Sequence, residues 1–213
     1  MLADSHCHLN YKGLAEQQQE ILARARDSGV TAMLNISTRE REWDDIVATA
    51  EREIDVWASI GIHPHEADQH PDVDTAKLVA RATHPRVVGI GESGLDYYYD
   101  HSDRDRQQAS FRAHIAASRE TGLPIIVHTR DAEEKCTIGE RLGPPLMIFA
   151  PADGFGTFPL SQADLANLGF RLAASSGSAF AAMYTAIRQS YHCLANDRID
   201  PLLGPGGAGK AMR

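Results

Sequence analysis

The segment VVGIGESGLD, residues 87–96, is an apolar run of strand length that ends in a glycine-rich bend with two carboxylates, Glu92 and Asp96. Other apolar runs of strand length occur at 2–9, 31–37, 56–62, 124–128, 145–149 and 170–174. Helix-like segments separate them, at 14–28, 40–53, 74–83, 104–121, 161–168 and 178–193. Because strands that alternate with helices indicate parallel βαβ units, we predict an α/β fold. The seven strands favour a TIM-type (β/α) barrel that is incomplete or hybrid, one strand short of eight.

Two local patterns refine this prediction. Segment 104–121 predicts a helix because Phe111, Ile115 and Ser118 share one face and a glycine follows as a stop signal. Segment 133–144 has room for barely two helical turns, so we assign the missing barrel unit to it. A missing strand would leave an open barrel edge, and unpaired edge groups favour a homodimer or aggregation.

Composition and charge narrow the class of protein. The chain has 213 residues, 43% hydrophobic and 23% charged, which is typical of a globular protein with a sizeable core. The longest apolar runs are too short for a membrane span, and the N-terminus lacks the features of a signal peptide. Three cysteines without paired spacing favour reduced thiols and a cytoplasmic location. The net charge of −8 argues against a broad duplex-binding surface, although bound cations could supply positive charge locally.

Metal-competent side chains follow three of the predicted strands. His6 and His8 are two residues apart on the first strand and should point the same way. Glu92 ends the fourth strand and His128 ends the fifth. Taken singly, each has an ordinary structural explanation, such as a loop carboxylate or a hydrogen-bonded core histidine. Because the carboxyl ends of barrel strands meet at one rim, the four together favour a site for divalent ions.

The same residues carry a resemblance to the TatD family of metal-dependent deoxyribonucleases. The similar segments are DSHCHLN at 4–10, SIGIHPHEA at 59–67, VVGIGESGLDYYYD at 87–100 and PIIVHTRDAEE at 124–134. The resemblance implies a TIM-type barrel that hydrolyses DNA, as a 3′-exonuclease or a repair nuclease acting on a single strand or a 3′ end. It also implies two divalent ions, with Mg²⁺ as the first expectation and Mn²⁺ or Zn²⁺ as alternatives.

The resemblance also implies residue roles. His6 and His8 would bind one ion, Glu92 would bridge both ions, and His128 would bind the second. His63 would lie near the substrate phosphate and act with Glu92 in catalysis, although a histidine packed in a turn before proline is an equal alternative. The expected substrate contacts or supporting residues are Asp96, Arg130 and Asp131. For the tyrosines at 97–99, a packed loop is favoured over base stacking.

The resemblance ends near residue 134. The family continues with a His-Cys-Phe-type segment and a Thr-Asp-x-Pro segment that supply a further histidine and an aspartate, and this chain has neither. The last histidine, His192, falls on a predicted helix, where a surface role is expected. Each ion would therefore lack one protein ligand, which predicts weakened activity.

The remaining sequence points to a hybrid chain. Residues 145–191 resemble the last two β/α units of the isocitrate lyase/phosphoenolpyruvate mutase family, with a Pro-Leu-Met strand, a Gly-rich turn and Pro-Leu-Ser opening a helix. We therefore divide the chain into a TatD-like part at 1–134, a second part at 135–201 and a flexible tail at 202–213. A non-catalytic barrel scaffold that keeps a partial metal site is the alternative function. A carbon–carbon lyase of the phosphoenolpyruvate mutase type is a third hypothesis. It is disfavoured because that family's metal-binding and catalytic residues lie on earlier strands that this chain does not have.

Overall fold

The computed structural model describes residues 2–128, 132–142, 146–150, 159–175 and 178–203. The chain divides into two compact units, Met1–Asp131 and Ala132–Arg213. The expected substrate contacts Arg130 and Asp131 lie outside the described residues, as does most of the predicted tail. Among the described residues, no helix combines the length and the apolar character needed to cross a membrane.

The first unit alternates strands and helices. Its elements are β1 (Leu2–Cys7), α1 (Gln18–Asp27), β2 (Val30–Asn35), α2 (Trp43–Arg52), β3 (Val56–Ile60), α3 (Thr75–Ala82), β4 (Val87–Gly94), α4 (Arg104–Thr121) and β5 (Ile125–His128). The five strands form one parallel sheet in the order β1-β2-β3-β4-β5. The order follows the chain, so the carboxyl ends of all five strands face the same edge.

The second unit continues the alternation. Its elements are α5 (Ala132–Leu142), β6 (Leu146–Ala150), α6 (Gln162–Asn167), β7 (Phe170–Ser175) and α7 (Ser178–Ala195), with β6 and β7 paired in parallel. The predicted parallel α/β fold is confirmed, and the described residues contain the seven strands that we expected. The expectation of barely two helical turns in 133–144 is wrong, because α5 has eleven residues and makes about three turns.

The core of the first unit lies between the sheet and its helices. Fully buried apolar side chains come from both layers, including Ile46 of α2, Leu78 of α3, Ile60 of β3 and Ile90 of β4. Because β3 and β4 are buried along most of their length, they read in sequence as nearly continuous apolar runs. The polar residues that follow the strands are therefore the candidates for a functional site.

Helix α4 buries a stripe that adjoins the predicted face and is displaced to one side of it. It spans Arg104–Thr121 as expected and ends at Gly122, whose φ is 71°. Its buried residues are Gln107, His114 and Ala117, while the predicted face of Phe111, Ile115 and Ser118 is only partly buried. The polar residues can be buried because each one hydrogen-bonds to the backbone of the neighbouring segments.

Two glycines let the ends of β3 and β4 approach closely. A Cβ on Gly61 would lie 2.8 Å from the nitrogen of Gly91 and closer still to its Cα. Gly91 immediately precedes Glu92, and its carbonyl accepts a hydrogen bond from Ser59 Oγ at 2.6 Å. Backbone packed on backbone cannot yield as a flexible side chain can, so this contact determines where Glu92 stands.

We expect Gly61→Ala to destabilise the protein by about 2–3 kcal/mol, since the added methyl group overpacks a rigid backbone contact. Gly89→Ala is the matched control on β4, because its Cβ would meet mainly the end of the flexible Ile126 side chain, at 3.0 Å. The free energy of unfolding from urea titration measures both variants. Equal losses in the two variants would contradict the close-packing argument.

Candidate metal centre

The carboxyl edge of the five-stranded sheet gathers histidines around one carboxylate. Among the residues that the structure describes, two groups could hold a metal ion, one of His6, His8 and Glu92 and the other of His63, Glu92 and His128. Within each group the candidate ligand atoms lie within 4.8 Å of one another. Both groups contain Glu92, so its two carboxylate oxygens face two different sets of imidazoles.

The first group is arranged around the end of β1. His6 Nε2 lies 3.2 Å from Glu92 Oε2. His8 Nδ1 lies 3.1 Å from the carbonyl oxygen of Ile36, and because a carbonyl only accepts, this nitrogen carries the proton. The lone pair of neutral His8 is therefore on Nε2, the arrangement that a metal-binding histidine needs. Tyr11 stacks on the His8 ring with centroids 4.5 Å apart and holds its orientation.

The second group is arranged around the end of β5. His128 Nδ1 lies 3.0 Å from Glu92 Oε1, and its Nε2 lies 3.1 Å from Asp96 Oδ2. Asp96 Oδ2 also contacts His65 Nε2 at 2.9 Å. The Asp96 side chain is fully buried, so it orients His128 and His65 from behind. His128 Nδ1 is then the ring nitrogen that faces Glu92 and the possible ion.

His63 differs from His8 in its tautomer. The backbone N–H of His65 donates to His63 Nδ1 at 3.2 Å, so the neutral ring carries its proton on Nε2. That Nε2 lies 3.2 Å from His128 Nδ1. Burial lowers the pKa of His63 to about 4, so the ring is neutral near pH 7. In this tautomer His63 offers an N–H donor rather than a lone pair.

Charge in the centre is balanced between carboxylates and imidazoles. Burial alone would raise the pKa of Glu92, but hydrogen bonds from His128 and His6 outweigh it and keep the pKa well below its usual range. Burial alone would lower the pKa of His128, but the bonds to Glu92 and Asp96 outweigh that effect and raise it. A positive charge between the Glu92 and Asp96 carboxylates is therefore favourable. A divalent ion could supply that charge.

A pocket of about 160 Å³ opens beside these groups. Its walls are formed by His8, Tyr11, Thr38, Arg39, His63, His65, Glu66 and Glu92. The volume is smaller than the roughly 300–1,000 Å³ of sites that enclose a whole small molecule. The pocket therefore has room for ions and a phosphate group, with the rest of a large substrate outside.

Sequence reasoning missed the part of the pocket that follows β2. Arg39 donates to Glu66 Oε1 at 2.6 Å and to Glu42 Oε1 at 3.1 Å, which places a guanidinium at the pocket wall. Thr38 accepts a hydrogen bond from the Tyr11 hydroxyl at 3.3 Å. The rule that polar residues at strand ends build the site also applies to Ser-Thr-Arg at 37–39 and would have identified both residues.

The other predicted positions are placed as follows. Asp96 is buried beneath the tyrosine loop, where its Oδ1 accepts the N–H groups of Tyr98 and Tyr99, both at 3.1 Å. His192 lies on α7 and is exposed, which confirms the expected helix and surface position.

The family profile and the relatives found by sequence comparison indicate the same family. The sequence profile of the family described as "TatD related DNase" matches residues 3–139. The Bacillus subtilis (strain 168) protein named "Uncharacterized metal-dependent hydrolase YabD" is 36% identical over 134 residues, which cover 63% of this chain and 52% of that protein. The Erwinia tasmaniensis protein named "3′-5′ ssDNA/RNA exonuclease TatD" is 33% identical over 133 residues, 62% of this chain and 51% of that protein.

A solved structure agrees with the sequence matches. The crystal structure of YJJV, a TatD homolog from Escherichia coli K12, superposes with a TM-score of 0.66 and 25% identity, covering 80% of this chain and 66% of that chain. The likeness confirms the predicted TIM-type fold class. The chain spans about half the length of the curated relatives that it matches.

A buried histidine outside the pocket supports the position of His63. His114 of α4 is fully buried, its Nδ1 donates to the carbonyl of Ser110 at 2.7 Å, and its Nε2 accepts the N–H of Ile62 at 2.9 Å. Because Ile62 precedes His63, this bond ties the residue before His63 to α4. Burial lowers the pKa of His114 to about 4, so the acceptor is intact near neutral pH.

This bond predicts acid sensitivity. The folded pKa of about 4 lies below the unfolded value of about 6.5, so the stability from neutral His114 is complete above pH 6.5 and is lost as the pH falls towards 4. His114→Gln cannot be protonated, so its free energy of unfolding should fall less than that of the wild type between pH 6.5 and 4. Urea titrations across this range measure it, and parallel curves for the two proteins would contradict the assignment.

Proposed function

Because the chain belongs to the TatD related DNase family, we propose that it is a metal-dependent hydrolase that cleaves phosphodiester bonds of single-stranded DNA, working from a 3′ end. The observation that carries this proposal is the Glu92 carboxylate, whose two oxygens lie 3.2 Å from His6 and 3.0 Å from His128. A carboxylate placed between two imidazole groups is suited to bridging two divalent ions.

The donor set fits such ions. His6, His8 and Glu92 would hold one ion, and Glu92 with His128 would hold the other. Two ions bound there would polarise the phosphate, activate a water and stabilise the attacking and leaving oxygens. Nitrogen and carboxylate ligands are compatible with Mn²⁺ and Zn²⁺ as well as Mg²⁺, and we propose Mg²⁺ as the working ion.

The protein's own residues then position the substrate. His63 Nε2–H would donate to a phosphate oxygen, a role that its tautomer permits and that fits its place in the pocket wall. Asp96 keeps His128 in the tautomer whose Nδ1 faces the centre. Arg39 adds a positive charge at the pocket wall, although Glu42 and Glu66 share it.

Single-stranded nucleic acid is the substrate class that these features favour. The pocket admits a phosphate rather than a whole nucleotide, so a flexible strand end fits better than an intact duplex. The net charge of −8 leaves bound cations as the means of attracting phosphate. Among the relatives, the Erwinia protein is named as an exonuclease of single-stranded DNA and RNA.

The sequence also bears on the cellular location and the oligomeric state of the protein. Cys7, Cys136 and Cys193 are all free thiols, which supports the proposed cytoplasmic location. The proposed homodimer through an open barrel edge rests on the strand count alone.

A non-catalytic hybrid scaffold is the second candidate. The family match ends at residue 139, and the chain lacks the Thr-Asp-x-Pro segment that the resemblance leads us to expect. In this case residues 1–134 would keep a partial metal site, and 135–201 would contribute barrel structure of other ancestry.

We expect Glu92→Gln to lower Mg²⁺-dependent hydrolysis of single-stranded DNA by about 100-fold or more, because a neutral amide cannot bridge two cations. Glu20→Gln is the control, since Glu20 lies on α1 with its side chain 65% exposed. Release of labelled nucleotides from a 3′-end-labelled strand measures both variants. A folded wild-type protein without activity would favour the scaffold, and equal activity of Glu92→Gln and wild type would refute the assigned centre.

We expect His63→Phe, which has no side-chain donor, to lower kcat by about 10–100-fold, because a hydrogen bond to a charged group contributes about 1.5–3 kcal/mol. Affinity for Mn²⁺, measured by titration calorimetry, should change by less than about twofold because the proposed role is donation. Loss of one bound Mn²⁺ would show instead that His63 is a ligand.

A further inference from the structure

A series of aromatic rings leads from the metal pocket towards solvent, and the proposed hydrolysis does not use it. His65 lines the pocket, and its ring centroid lies 4.6 Å from that of His101 and 5.8 Å from that of Tyr99. Tyr99 and His101 stack with their planes 10° apart, and Tyr98 meets Tyr99 edge-on at 4.9 Å. We call His65, His101, Tyr99 and Tyr98 the aromatic ladder.

The outer rings of the ladder are open to solvent. Tyr98 is 77% exposed and Tyr99 is 51% exposed. The prediction that these tyrosines pack within a loop is therefore wrong for Tyr98. Single exposed aromatic residues are common on protein surfaces, but adjoining rings that continue from a polar pocket form a surface suited to binding.

The loop that carries the ladder is fixed without a ligand. Asp96 Oδ1 accepts the backbone N–H groups of Tyr98 and Tyr99, and the N–H of Asp96 donates to the buried Gln107 Oε1 at 2.8 Å. Tyr97 is held separately, with the Arg104 guanidinium 4.6 Å from its ring centroid. A surface that is already ordered loses little entropy when a partner binds.

Charge near the ladder argues against binding through phosphates alone. The neighbouring cation, Arg104, is paired with Asp100 at 2.8 Å, and the whole chain carries a net charge of −8. Stacking of bases on aromatic rings needs no net positive charge, tolerates every base, and contributes about 1–3 kcal/mol per base. The pocket itself is too small to enclose a base.

We propose that the aromatic ladder is a stacking platform for bases of a single strand whose phosphate enters the metal pocket. This inference rests on the proposed function and adds the subsite that would favour single-stranded, base-bearing substrates. A strand threaded past His65 would place its phosphate near His63 and its adjacent bases against Tyr99 and Tyr98.

The test is fluorescence anisotropy of a labelled oligothymidylate strand in Mg²⁺, with phosphorothioate linkages that resist hydrolysis. An abasic strand of equal length with the same linkages is the matched probe. The wild-type chain should bind the base-bearing strand more tightly. Tyr98→Ala and Tyr99→Ala should each weaken that binding about tenfold, while both keep the backbone N–H that Asp96 accepts. Tyr99→Phe should restore it, and Tyr191→Ala, a 70% exposed tyrosine on α7, should not change it.

Equal binding of the two strands by the wild type, or unchanged binding in both alanine variants, would overturn the platform. Hydrolysis of bis(p-nitrophenyl) phosphate with Mg²⁺ separates this result from failure of the proposed function. A chain that cleaves this small diester but does not distinguish the strands has the hydrolase activity and no platform. A chain that binds bases through the ladder but cleaves no diester has the platform and lacks the proposed activity.

Discussion

The bidentate placement of Glu92 between two sets of imidazoles is the interaction on which the rest of the site depends. One oxygen faces His6 and the other faces His128, so a single carboxylate links the ends of β1 and β5, the two outer strands of the sheet. Burial of a carboxylate is costly unless it is paired. The imidazoles that satisfy it without a metal are also the ligands that would share it with ions.

The surrounding structure positions this carboxylate and its partners. Gly61 and Gly91 bring the backbones of β3 and β4 together just before Glu92. Asp96 uses one oxygen to orient His128 and His65 and the other to hold the tyrosine loop. The chemistry of the pocket and the order of the neighbouring aromatic surface therefore share one buried residue, so changes at Asp96 should affect both.

The ends of the strands could be predicted from the sequence, because the strands of a parallel sheet are mostly buried and apolar and the polar residues come directly after them. His6, His8, Glu92 and His128 were found in this way, and the structure brings them together. The tautomer of His63 could not be predicted from the sequence, because it depends on a hydrogen bond from the backbone N–H of His65. His114 was also missed, since its burial depends on pairing with Ile62, which lies 52 residues away in the chain. The exposure of Tyr98 follows from loop geometry that residue type alone does not determine.

The most direct test of the account is the location of Mn²⁺ by anomalous diffraction from crystals of the full chain. The account predicts two anomalous peaks on either side of the Glu92 carboxylate, one next to His6 and His8 and the other next to His128. A single peak distant from Glu92, or no peak at saturating Mn²⁺, would contradict the claim that this carboxylate bridges two ions.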